Sequence, residues 1–257
     1  MMAPLAGVHE SLLREQSVMS SHATASPYLR HQFDDLQQQR VSAALGMWAF
    51  LATEVLFFGG MFAGYMVYRH WYFLEWDAAS RTLGLGLGTL NTAVLLTSSL
   101  TMAMAVDAGH RGNNKAIQRW IALTIILGAV FLGIKGIEYK EKFDHHHVPG
   151  PYFQWNAHAH PPGKEVDSAI AHGEVLPHFE NTGPVELFFS YYFVMTGFHA
   201  LHMLIGFGLL TTLWFQAGRG KFSAEYFTPV EMVGLYWHFV DIVWVFLFPL
   251  LYLIDRT

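Results

Sequence analysis

His238 and Asp241 lie three residues apart in Tyr236-Trp237-His238-Phe239-Val240-Asp241, inside an apolar run that reaches Ile254. On a helix that spacing puts both on one face, where an imidazole and a carboxyl can pair. A charged side chain near the middle of a bilayer costs roughly 2.5–3.5 kcal/mol on insertion scales, so such residues need a reason. His199 and His202 repeat the spacing in another apolar run, and Glu54 stands near the middle of a third. An ionised, unpaired Glu54 would be very costly there, so it is protonated or hydrogen-bonded across helices. It reads either as a proton-handling or headgroup-sensing carboxyl, or as a neutral acid that glues two helices. The histidines read either as metal or haem ligands, or as members of a buried hydrogen-bonded cluster. A carboxylate-bridged di-iron site wants Glu-x-x-His pairs on facing helices, and the sequence has none. Histidine alone does not establish haem ligation. The cluster, with Glu54 as a member, is the better account.

These residues need helices to hold them. The chain has 257 residues, 53% of them hydrophobic and 14% charged. Its mean hydropathy is +0.27. Soluble domains carry about 25% charged residues, so the deficit points to an integral membrane protein. Five stretches can span a bilayer as helices of about 20 residues: 42–68, 85–106, 117–139, 184–215 and 229–254. They are continuous rather than alternating, which favours helices over a barrel. The expected fold is therefore an all-α bundle of five transmembrane helices in one domain, 1–257. A polar segment, 1–41, precedes the bundle and a long His-rich loop, 140–183, joins the third and fourth spans. The segment 69–84 reads as a short connection whose Trp71, Tyr72 and Trp76 suit the membrane interface.

Several classes are excluded. With no cysteine, disulfides, thiolate metal sites and cysteine nucleophiles drop out together. No basic block suggests nucleic acid, and the net charge is only −5. The first 40 residues resemble neither a secretory signal nor a mitochondrial presequence. Gly84, Gly86 and Gly88 precede a span, not a strand-to-helix phosphate turn. Gly60 and Gly64 form a GxxxG that reads as a close-packing signal. His145, His146, His147, His158, His160, His172 and His178 fill the long loop and could bind zinc or copper. A solvated loop docked on a partner is the simpler reading, since no pattern fixes a metal geometry.

Several segments in order resemble subunit III of the haem-copper cytochrome c oxidases, in its five-helix bacterial form. They are Phe33-Asp34-Asp35-Leu36-Gln37-Gln38-Gln39-Arg40 with Leu45-Gly46-Met47-Trp48 and Thr53-Glu54-Val55-Leu56-Phe57-Phe58-Gly59. Leu90-Asn91-Thr92-Ala93, Glu138-Tyr139, Thr196-Gly197-Phe198-His199-Ala200-Leu201-His202 and the His238–Asp241 segment with Trp244 follow. The resemblance implies a non-catalytic subunit of an aa3-type oxidase, with haem a and copper in partner subunits and no metal here. It implies direct packing on subunit I, with subunit II nearby, bound phospholipid and support for proton uptake in aerobic respiration. Glu54 falls on the family's intramembrane carboxyl. His199, His202, His238 and Asp241 fall on its buried polar positions, and Trp48, His199, His202, Trp237 and His238 on the lipid side. It also implies a bacterial inner membrane, a cytoplasmic N-terminus and a periplasmic C-terminus, in line with a slight Lys/Arg bias. The two extra N-terminal helices of the mitochondrial-type form are absent, and loop 140–183 is longer than usual. That loop is a candidate contact for a cytochrome c donor or a supercomplex neighbour. The alternatives are the accessory subunit of a quinol oxidase or nitric oxide reductase, or, from another class, a His-rich membrane metal-binding protein.

Overall fold

The structure is a computed structural model that describes residues 27–155 and 182–253. The described residues form six helices and no strand: α1 Leu36–Trp71, α2 Phe73–Arg81, α3 Leu85–His110, α4 Asn114–Asp144, α5 Thr182–Gly218 and α6 Thr228–Tyr252. All but α2 are long and apolar enough to cross a membrane. In hydrocarbon a helix satisfies every backbone donor and acceptor within itself, which is why the apolar runs adopt it.

The helices overrun the apolar windows. α1 starts at Leu36 rather than near residue 42, and α4 continues to Asp144, so 140–144 is helical and not loop. Apolarity marks the part of a helix that lies in lipid. Caps mark where the helix itself ends, and they can lie in water. Residues 27–46 show this by themselves. The Gln38 amide donates to the Asp35 carboxylate at 2.6 Å, and the Asp34 amide donates to the Gln38 side chain at 2.7 Å. This reciprocal pair is a capping box in all but one register.

From Met47 onward, α3, α4, α5 and α6 form an antiparallel square. α3 and α5 each lie beside α4 and α6. At the α3–α4 corner Gly112 takes φ +66°, where a side chain would be strained, and Asn113 then caps α4 by accepting from the Ala116 amide at 3.1 Å. α1 is peripheral to this square. In its apolar window 11% of residues are buried, against 50% in α6. Aromatic rings join it to α5: Phe57 to Phe198 at 5.1 Å and Tyr65 to Tyr191 at 6.1 Å between centroids. The Tyr65 hydroxyl donates to the Leu250 carbonyl at 2.6 Å.

Two of the close approaches set a helical glycine against aromatic side chains rather than against another helix backbone. A Cβ on Gly206 would come within 2.9 Å of the Trp237 ring, and one on Gly128 within 3.0 Å of Trp237 and Phe207. Of the GxxxG pair, Gly64 abuts the Tyr191 hydroxyl, while Gly60 faces open space. Among the described residues the motif therefore makes no two-glycine contact.

The connection after α1 also differs from the sequence expectation. Residues 73–81 form α2, which tucks Trp76 fully inside and leaves Trp71 exposed. The Trp76 indole donates to the Pro184 carbonyl at the start of α5, at 2.9 Å. Trp76 is thus buried within the protein rather than exposed on its surface.

Candidate functional site

Glu54, halfway along α1, meets His202 of α5. Its Oε2 lies 3.0 Å from His202 Nε2, and both side chains are mostly buried. The other ring nitrogen, Nδ1, is 2.8 Å from the Phe198 carbonyl. A carbonyl can only accept, so Nδ1 carries a proton. Nε2 then either accepts from a protonated Glu54 or, as imidazolium, donates to a carboxylate. The two forms differ only in where a single proton sits, and both leave the pair neutral overall. This is the least costly way to keep two ionisable groups in hydrocarbon. Phe58 packs edge-on to the imidazole at 5.3 Å.

The remaining sequence candidates do not join this pair. His199 is one turn away on α5 but is turned into the four-helix square. Its ring lies between Phe131 at 5.6 Å and Trp244 at 5.3 Å. His238 is held by the Ser99 hydroxyl, 2.6 Å from its Nδ1. Asp241 is buried and forms no ion pair with His238 among the described residues. The three-residue spacing spreads two side chains over roughly 60° of arc. Here both border Ser99 of α3 rather than pairing with each other. The single cluster expected from sequence is therefore three separate arrangements. The lipid-side expectation also divides. Trp48 is exposed, whereas Trp237 and His199 are closed off inside the bundle. The Trp237 indole donates to Ser98 at 2.8 Å, and the Trp244 indole to Thr92 at 3.1 Å.

Sequence reasoning missed the strongest polar network. Lys135 on α4 donates to Glu138 Oε2 at 3.0 Å, to the Tyr192 hydroxyl at 3.1 Å and to the Tyr252 hydroxyl at 2.8 Å. Those three partners use all three ammonium donors. Both hydroxyls in turn donate to Glu138 Oε1, at 2.9 Å from Tyr192 and 2.5 Å from Tyr252. The ring is closed and fully buried, and it ties α4 to α5 and α6. Opposite charges at i and i+3 within an apolar run were the signal that could have found it.

The described start of the long loop folds back on its own chain. His147 is buried, its ring 5.0 Å from Phe189 and 5.6 Å from Trp155. The Gly150 amide donates to Glu186 at 2.8 Å. His158, His160, His172 and His178 lie outside the described residues. Among the described residues no group of three or more His, Asp or Glu side chains is arranged to hold a metal ion.

A multi-pass helical membrane protein with a sparse polar interior is the class these features define. The family model for "Cytochrome c oxidase subunit III" matches residues 33–145 and 183–255. "Cytochrome c oxidase subunit 3" of Thermostichus vulcanus is 31% identical over 213 residues, 82% of this chain and 87% of that protein. The protein of the same name from Corynebacterium diphtheriae is 30% identical over 226 residues, 84% of this chain and 94% of that protein. The one from Synechocystis sp. is 28% identical over 236 residues, 91% of this chain and 83% of that protein. The chain belongs to the cytochrome c oxidase subunit III family, and so to a terminal oxidase complex.

Proposed function

We propose that the chain is a non-catalytic subunit of an aa3-type cytochrome c oxidase in a bacterial inner membrane, with its N-terminus cytoplasmic and its C-terminus periplasmic. In this reading it braces subunit I, with subunit II alongside, and haem a and copper belong to those partners. Membrane phospholipid packs along α1, where Trp48 is exposed. The observation that carries the reading is the Glu54–His202 pair. It can hold or relay one proton in the membrane, and Phe58 packs edge-on against its imidazole. That suits support of proton uptake by a neighbouring catalytic subunit.

Glu54→Gln is expected to leave assembly intact, because its amide can still hydrogen-bond to His202, while removing the group that can exchange a proton. Glu54→Leu strands His202 Nε2 and should weaken retention of the chain by about 1–3 kcal/mol. Subunit retention and proton-uptake rate of the purified complex check both. Equal assembly defects from the two changes would mean that ionised Glu54 is itself structural. Intact-complex mass spectrometry tests the wider reading. It should find the chain with subunits I and II and retained phospholipid. Stoichiometric haem or copper on the chain alone would contradict it.

A further inference from the structure

One outward stripe of α6 is not wholly apolar. It runs through Leu235, His238, Ile242, Val245 and Pro249, at the alternating three- and four-residue steps of a single helix face. Ile242 and Val245 are exposed, and His238 is only partly buried. α1 does not cover this stripe. It lies along another side of α6, where Phe58 meets Phe239 at 6.3 Å and Tyr65 reaches the Leu250 carbonyl. α3 borders the stripe through Ser99, and the same helix exposes Leu96 and Leu100.

Two polar groups on the stripe lack a partner from the described residues. The Ser99 hydroxyl occupies His238 Nδ1 at 2.6 Å. The other ring nitrogen, Nε2, makes no hydrogen bond among the described residues, and unlike both ring nitrogens of His199 it is not closed off from the surface. The second group is the Val245 carbonyl. Pro249 stands inside α6 and has no amide hydrogen, so the carbonyl four residues before it loses its helical donor. His238 lies close to the midpoint of α6, and Val245 is about 10 Å further along the axis. Both are at hydrocarbon depth, where an unsatisfied polar group is costly.

We propose that this α3–α6 face docks a membrane-spanning helix of another oxidase subunit, which presents hydrogen-bonding side chains to His238 Nε2 and to the Val245 carbonyl. Acyl chains offer neither donor nor acceptor, and a lipid headgroup does not reach the middle of the bilayer. A second copy of this chain fits poorly. Closed pairing of two copies in one membrane needs a two-fold axis along the membrane normal, which sets each residue opposite its own level. The Val245 carbonyl would then meet another carbonyl, and His238 would meet a histidine in the same tautomer, and neither match forms a hydrogen bond. A different chain can place a donor at the carbonyl and a complementary group at the imidazole. The inference rests on the reading of this chain as a brace for a neighbouring subunit, and it names the face that does the bracing.

The test is photo-cross-linking in the intact purified oxidase, with p-benzoylphenylalanine in place of Ile242 and, separately, of Val130, an exposed residue near the middle of α4. Mass spectrometry identifies the adducts. Ile242 is expected to give a cross-link to a different oxidase subunit. Adducts only to lipid, or to a second copy of this chain, would overturn the proposal. If Val130 gives a subunit adduct and Ile242 does not, the bracing reading stands and this inference fails. If neither does, both fail. Two further variants separate the outward bond of His238 from the inward one. His238→Phe is expected to speed loss of the chain from the detergent-solubilised complex about five-fold, and His238→Gln, which keeps an amide, should recover most of that loss. Ser99→Ala removes only the inward bond and should change the rate by less than about two-fold. Equal effects from Ser99→Ala and His238→Phe would show that the histidine serves this chain alone.

Discussion

Replacing Lys135 with methionine is expected to release this chain from its complex, or to prevent its assembly. The change leaves Glu138 buried with its charge uncompensated, and breaking one side of a buried ion pair costs about 3–5 kcal/mol. Glu138→Ala should do at least as much harm, since it strands Lys135 and both tyrosine hydroxyls together. The informative variant is the double change Lys135→Met with Glu138→Gln. It removes both charges but keeps a side-chain oxygen for Tyr192 and Tyr252 to donate to. Retention of the chain, followed by its band in the purified complex across a detergent or temperature series, should recover most of the way to wild type. If the double variant were as unstable as Lys135→Met, the charges would be needed for more than mutual compensation.

Trp237→Ala is expected to be comparably damaging, by about 3–5 kcal/mol, through packing rather than charge. The Trp237 indole is fully buried, and Gly128 and Gly206 make room for it on opposite helices. Truncation leaves a hole that neither glycine can fill, and it removes the donor that Ser98 accepts. Trp237→Phe keeps most of the volume and should cost clearly less. The difference in thermal retention between the two separates packing from the lost hydrogen bond. A Trp237→Ala complex as stable as wild type would mean that the square of helices is held mainly from outside.

Glu54 was legible as a functional candidate because an acid in an apolar run is conspicuous whatever surrounds it. Its partner was not. His199 and His202 look equivalent in the sequence, and only the position of α1 beside α5 decides that His202 receives the carboxyl while His199 faces Trp244. His238 and Asp241 illustrate the converse. The spacing that suggested a pair is real, but Ser99, an unremarkable residue on α3, takes the histidine. Lys135 and Glu138 were not read as a pair, and their importance comes from Tyr192 and Tyr252, far away in sequence.

The five spans were readable because hydrocarbon imposes length and apolarity directly. α2 was not, because it obeys a different rule. Phe73–Arg81 is a short helix at the end of the bundle, and the burial of Trp76 depends on the Pro184 carbonyl being there to accept from it. A tryptophan beside a membrane span suits the interface equally well when that partner is unknown. The overruns at Leu36 and Asp144 have a similar origin, since helices end at caps and not where lipid ends.

The family placement turns the polar interior into a division of labour. Lys135, Glu138, Trp237 and Trp244 hold the square together, while Glu54 and His202 present one exchangeable proton at the seam with α1. In the function proposed above, oxygen chemistry belongs to a neighbouring chain. The most direct test is to remove this chain from the purified oxidase and record the haem spectrum, metal content and oxygen consumption of what remains. Full haem and copper content and initial oxygen reduction are expected, with slower proton uptake and a shorter active lifetime. Loss of haem or copper in proportion to the chain removed would contradict it.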